Sequence, residues 1–153
     1  MFTQVVSGGQ TGVDRAALDV ALELGILCSG WCPKGRKAED GPIPNHYPLK
    51  ETPVDDYAQR TLWNVRDSDG TLVLTHGEPL GGTAQTIEEA TRLQKPCLVI
   101  DLTNQPSATT VLAWAKRHRV RILNVAGPRE TKSPGIYKEA SAFLRTLFST
   151  ERR

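Results

Sequence analysis

Phe2-Thr3-Gln4-Val5-Val6-Ser7-Gly8-Gly9-Gln10-Thr11-Gly12-Val13-Asp14-Arg15-Ala16-Ala17-Leu18-Asp19 changes its hydrophobic period halfway along. Residues 2–6 are a short β-compatible run. From Val13 onward, Ala16, Ala17, Val20, Ala21 and Leu24 recur at spacings of three and four, the stripe of an amphipathic helix, and Gly25 ends it. A strand that passes through a glycine-rich turn into a helix is the opening of a βαβ unit, so the rest of the chain is read for its continuation.

The pattern repeats. Ile26–Trp31, Leu72–Thr75, Leu98–Leu102 and Arg121–Val125 read as four further strands. Helical spacing falls near Asp55–Arg66, Ala84–Gln94, Ala108–His118 and Pro134–Phe148, with Ser133-Pro134 as a cap followed by proline at the first helical position. Strands alternating with helices predict a doubly wound α/β fold. Its three-layer α/β/α sandwich would be built on a mainly parallel five-stranded, Rossmann-like sheet, because parallel neighbours need right-handed helical crossovers. The common strand order 2-1-3-4-5 would set strands one and three side by side where the winding reverses. Both glycine turns, Ser7–Gly12 and Leu80-Gly81-Gly82-Thr83, would then open into one crevice at the carboxyl edge.

The chain has 153 residues, enough for a single ligand-binding domain over 1–153, and too short to leave room for a separate substrate domain. Its pocket is expected to be shallow and completed by a second subunit. Nineteen Lys+Arg against 17 Asp+Glu leave a charge of +2, too small a surplus for a bulk nucleic-acid partner. No stretch has the length of a membrane span or the organisation of a signal peptide. Cys28, Cys32 and Cys97 lie in or beside apolar runs and read as buried thiols of a cytoplasmic protein. Their spacing, and that of His46, His76 and His118, predicts no metal site.

Backbone N–H groups of a glycine turn that enters a helix suit an anion, and phosphate is the natural one. The first turn has neither the Gly-Lys-Ser/Thr ending of a nucleoside-triphosphate loop nor G-x-G-x-x-G spacing. Glycines that only make tight turns are the simpler explanation, but two such turns at one predicted switch point favour ligand binding. The candidate ligand contacts are Ser7, Gly8, Gly9, Gln10, Thr11 and Gly12 in the first turn with Asp14 just after it, and Gly81, Gly82 and Thr83 in the second. Thr11 and Asp14 also match a capping pair, and Thr83 reads as a cap for the helix that carries Glu88 and Glu89. Charge partners for the anion are Arg15 at the helix start, Lys34 and Arg36 in the aperiodic segment between Pro33 and Pro53, and Arg129 in the loop Ala126–Ser133. No nucleophile elbow or Cys/His pair is present, so nucleophilic catalysis has no support.

The string Ser7–Asp19 resembles the start of the molybdenum carrier proteins, allied to circularly permuted YpsA-type members of the SLOG superfamily. Gly30-Trp31-Cys32-Pro33-Lys34-Gly35-Arg36, Ala38-Glu39-Asp40-Gly41, Tyr47-Pro48-Leu49, Gly81-Gly82-Thr83 and Asn124-Val125-Ala126-Gly127-Pro128-Arg129-Glu130 extend the likeness over nearly the whole chain. The resemblance implies a Rossmann-like sheet, a pocket for a phosphorylated or nucleotide-like ligand, and a homodimer or homotetramer. It alone points to molybdenum cofactor. The related LOG-type phosphoribohydrolases carry Pro-Gly-Gly-x-Gly-Thr-x-x-Glu. Gly81, Gly82 and Glu88 match that loop, whereas Leu80, Ala84 and Gln85 depart from it. A carrier is therefore the leading expectation. An N-glycosidic hydrolase using Glu88, or a nucleotide sensor, is the alternative.

Overall fold

β1 (Gln4–Val6) is buried on both faces, and its partners on either side are parallel strands. The computed structural model describes residues 1–152. In chain order, β1 is followed by α1 (Val13–Glu23), β2 (Cys28–Ser29), β3 (Trp31–Cys32), β4 (Lys37–Ala38), β5 (Gly41–Pro42) and β6 (Lys50–Glu51). Then come α2 (Tyr57–Arg66), β7 (Gly70–Thr75), α3 (Gly81–Arg92), β8 (Cys97–Asp101), a 3-10 turn (Leu102–Asn104), α4 (Ala108–His118), β9 (Ile122–Ala126) and α5 (Ile136–Glu151).

Five strands form one parallel sheet in the order β2-β1-β9-β7-β8, flanked by helices as a doubly wound α/β/α fold requires. The class is the one expected, but the order 2-1-3-4-5 is not. β9, the last strand, inserts between β1 and β7, pairing Val5 with Leu123 and Leu72 with Val125. Burial gives the physical reason. Leu123, Asn124 and Val125 are buried, which suits an interior strand, whereas β8 exposes Val99 and takes the edge. Lateral order is set by such two-sided burial, which a local hydrophobic period does not encode.

The core is continuous from the sheet into the helices. Val5, Leu72, Leu74, Leu123 and Val125 meet Val13, Ala17 and Val20 of α1 and Ile136, Leu144, Leu147 and Phe148 of α5. Phe2 meets Phe148 edge to face at 5.9 Å. No helix among the described residues is long and apolar enough to cross a membrane.

The segment between Pro33 and Pro53 is not the aperiodic excursion its composition suggests. β4 and β5 form a two-residue hairpin, and β6 pairs in parallel with β3. Arg36 binds the segment together: its guanidinium donates to the carbonyls of Ile43, Pro44, Tyr47 and Leu49 at 2.8–3.3 Å.

Two helix starts also differ from expectation. α5 begins at Ile136, two residues after Pro134, and Ser133 does not cap it. The Glu130 carboxylate does so instead, accepting from the N–H groups of Gly135 at 2.7 Å and Tyr137 at 2.9 Å. Glu130→Ala is expected to cost about 1 kcal/mol, the usual worth of a side-chain cap, in thermal unfolding monitored by circular dichroism. α3 starts at Gly81, so Thr83 lies inside its first turn. Leu80 occupies the capping position, with no side-chain bond.

Candidate functional site

The strand order places the loop that follows β9 between the two glycine turns. Around all three lies a cavity of about 570 Å³ at the carboxyl edge of the sheet. α2 lines it with Tyr57, Arg60 and Asn64, and the start of α3, which packs against α2, lines it with Gly81, Gly82 and Thr83.

The first glycine turn spends most of its donors on itself. Gly9 N–H donates to Ser7 Oγ at 3.3 Å, Gln10 N–H to Asp14 Oδ2 at 3.3 Å, and Thr11 N–H to Gln10 Oε1 at 3.1 Å. Val13 N–H donates to Pro128 O at 3.3 Å. Ser7 Oγ in turn donates to Asp14 O at 2.8 Å. Thr11 does not cap α1. Gly12 holds that position with φ 78°, and Thr11 Oγ1 faces across to accept from Glu130 N–H at 3.1 Å. Gln10 Oε1 also accepts from Glu39 N–H at 2.9 Å, which fixes the orientation of its amide and leaves the buried Nε2 without a partner among the described residues.

The second turn is open. Gly81 and Gly82 line the cavity as the first residues of α3, and the position of a Cβ on either is free of neighbours within 4 Å. The first N–H groups of a helix have no intrahelical acceptor, and the helix end carries about half a positive charge. This turn is the better anion cradle of the two.

Of the residues expected to touch ligand, Gly8, Gln10, Asp14, Gly81, Gly82, Thr83 and Arg129 line the cavity. Ser7, Gly9, Thr11 and Gly12 build the turn behind it. Arg15 is held away by a two-pronged pair with Asp40 at 2.8 and 3.1 Å and by a bond to Gly9 O at 3.1 Å. Arg36 is consumed in its own loop, and the exposed Lys34 lies outside the lining. Glu88 is exposed on α3 and does not line the cavity.

The residues that sequence reading missed sit on α2. Arg60 is buried; its Nη1 donates to Gly8 O at 3.0 Å and lies 3.7 Å from Asp14 Oδ2. The ring centroid of Tyr57 lies 4.6 Å from Lys37 Nζ, 5.2 Å from the Arg60 guanidinium carbon and 5.5 Å from that of Arg129. Arg129 also stands 3.8 Å from Glu39, and Lys132 adds another cation to the lining. His76 lines the cavity from the end of β7 and contacts Glu139.

Burial pushes the Asp14 carboxyl up to about 6, against the opposing pull of Arg60 and of the Gln10 N–H bond. Burial likewise raises the Cys28, Cys32 and Cys97 thiols, the last to about 11, so none is an activated thiolate. No group of three or more His, Cys, Asp or Glu among the described residues can hold a metal ion. The arrangement can seat an anion between a helix end and several cations, with an aromatic ring beside it.

No curated protein matches the chain. Among solved structures, a crystal structure from Syntrophus aciditrophicus SB is 47% identical, with TM-score 0.93 over 95% of this chain and 94% of that one; it is named "putative molybdenum carrier protein". The model of the circularly permutated YpsA SLOG family matches residues 5–148, so the chain belongs to that family.

Proposed function

We propose that the cavity binds and carries a phosphate-bearing small molecule, either molybdenum cofactor or a nucleotide-like compound. The observation that carries this is the meeting of the open start of α3, at Gly81 and Gly82, with Arg60, Arg129 and Lys132 around one cavity of about 570 Å³. That volume lies in the range of small-molecule sites. A terminal phosphate would take the helix N–H groups and the loop cations, as charge-assisted hydrogen bonds favour. The name of the Syntrophus aciditrophicus protein and the resemblance of Ser7–Asp19 to molybdenum carriers support the pterin cofactor as cargo. Such a cargo needs no metal ligand from the protein, because its phosphate is the handle.

Carriage is favoured over N-glycosidic hydrolysis by the position of Glu88, which faces solvent outside the lining. Three free cysteines, two of them buried, suit a reducing compartment, and the cytoplasm is the proposed location. Self-association as a homodimer or homotetramer belongs to the same reading.

Mass spectrometry of the small molecule released by denaturing gently purified protein tests it. A pterin phosphate or a nucleotide is the expected result. A released ligand without any phosphate overturns the reading. Arg129→Gln, which removes one loop cation without touching the core, is expected to weaken binding of a nucleoside monophosphate about tenfold in calorimetric titration.

A further inference from the structure

The cation set deepest in the wall is Arg60, which α2 brings in from the side. Gly8 makes room for it: a Cβ there would stand 2.6 Å from both Arg60 Cδ and Nη1. Nη1 is engaged by Gly8 O at 3.0 Å and faces Asp14 Oδ2 at 3.7 Å. A guanidinium has five N–H donors in a planar fork, and the other nitrogens of Arg60 have no acceptor among the described residues. The second edge of this buried arginine is therefore open to the cavity that the residue lines.

Asp14 shares that wall. Its facing charges are Arg60 from α2, Arg15 on its own helix and Arg129 from the loop after β9. His76, Glu78 and Lys132 line the same cavity. Burial raises Asp14 to about 6, well above the ordinary carboxylate range.

We propose that the Arg60–Asp14 pair is the deep anion anchor of the cavity, and that an anion seated on the open edge of Arg60 brings one proton from solvent onto Asp14. This rests on the anion-binding reading above. Arg60 is the foremost of the groups that favour the ionised form of Asp14 in this buried wall, ahead of the Gln10 N–H, Arg15 and Arg129. An incoming anion draws on the same guanidinium and adds a second negative charge nearby, so the carboxyl holds its proton more tightly. Protonation removes the repulsion, and by linkage the anion binds better in acid and leaves as the pH rises. A ligand carried on this anchor would be released by alkalinisation.

Sulfate is the probe, because its charge is constant between pH 5 and 8. Titration into 15N-labelled protein, read at the Gly8, Gly81 and Gly82 amides, is expected to give a Kd about tenfold lower at pH 5 than at pH 8, the factor that follows when bound sulfate raises the Asp14 titration midpoint by about one on the pH scale. The 13C signal of the Asp14 carboxyl should show its midpoint moving up when sulfate is present, a measurement that needs no variant. In Asp14→Asn the tenfold change should vanish, and Arg60→Gln should lose sulfate binding.

Equal Kd values at both pH values overturn the proton coupling and leave the anion site standing. No amide response at any pH overturns the anion site and the coupling together. A pH dependence that survives Asp14→Asn but disappears in His76→Gln assigns the proton to His76 and overturns the proposal. Sulfate binding unchanged in Arg60→Gln overturns the anchor.

Discussion

Gly12→Ala is expected to destabilise the protein by about 4 kcal/mol, a large share of the roughly 5–15 kcal/mol that holds a domain folded. Gly12 has φ 78° and ψ −129°, a conformation that an L side chain seldom adopts and that costs about 1–3 kcal/mol. A Cβ there would also stand 2.4 Å from Pro128 O and 2.9 Å from Glu130 N. These are backbone atoms, and they cannot swing aside as a side chain would. Overpacking of this kind adds about 1–3 kcal/mol. The two loops are tied at this point by Val13 N–H to Pro128 O and by Glu130 N–H to Thr11 Oγ1, so relief of the clash would cost those bonds as well.

Gly35→Ala separates the two contributions. Gly35 also has a positive φ, 83°, but nothing lies within 4 Å of where its Cβ would be. It should lose only the conformational part, about 1–2 kcal/mol. Urea unfolding of both variants at pH 7 checks this. Equal losses would show that the close approach of the two loops contributes nothing.

The same position shows what was legible in the sequence. The glycine turn itself was readable, because a change of period from strand to helix with glycines between has few other solutions. Its use was not. Thr11 and Asp14 have the spacing of a capping pair, yet the positive φ of Gly12 turns Thr11 toward Glu130, which is 119 positions away. α4 gives the opposite case. Ser107 accepts from Thr109 N–H, and the helix runs Ala108–His118 as the local pattern predicts, because both its cap and its stripe are local. Arg60 was not legible as a site residue. Its partners, Gly8 and Asp14, come from the first glycine turn and the first helix, and a cation on an amphipathic helix reads as solvated until the sheet brings those partners to it. Arg15 was misleading for the converse reason. A cation at a helix start signals an anion, and the anion is Asp40 of the protein itself.

Asp14→Asn is expected to change the pH dependence of stability by about 3 kcal/mol between pH 4 and pH 8. The folded carboxyl titrates at about 6, above an unfolded value of about 3.9. A carboxyl raised in this way supports the fold fully below its unfolded value. As the pH rises from about 4 to 6, the unfolded chain ionises while the folded one stays protonated, and stability is lost. Above 6 both forms are ionised, and the loss levels off at about 3 kcal/mol, because the window spans about 2 on the pH scale at about 1.4 kcal/mol for each. Asparagine retains an acceptor for the Gln10 N–H and never ionises, so it escapes this loss. The attraction between the ionised carboxyl and Arg60, 3.7 Å away, is already contained in the folded value of about 6, so beyond it the exchange of a neutral carboxyl for an amide adds only an offset that does not vary with pH. The absolute stability of the variant can therefore fall on either side of the wild type at a given pH. What is fixed is the direction of the difference: variant minus wild type must rise from pH 4 to pH 8, with its steepest change between about 4 and 6. Other carboxyls are common to both proteins and cancel. Urea unfolding at intervals of half a pH unit measures the difference, and parallel stability curves across that window would mean that Asp14 ionises as freely in the fold as in the open chain, leaving it no proton to exchange with a bound anion.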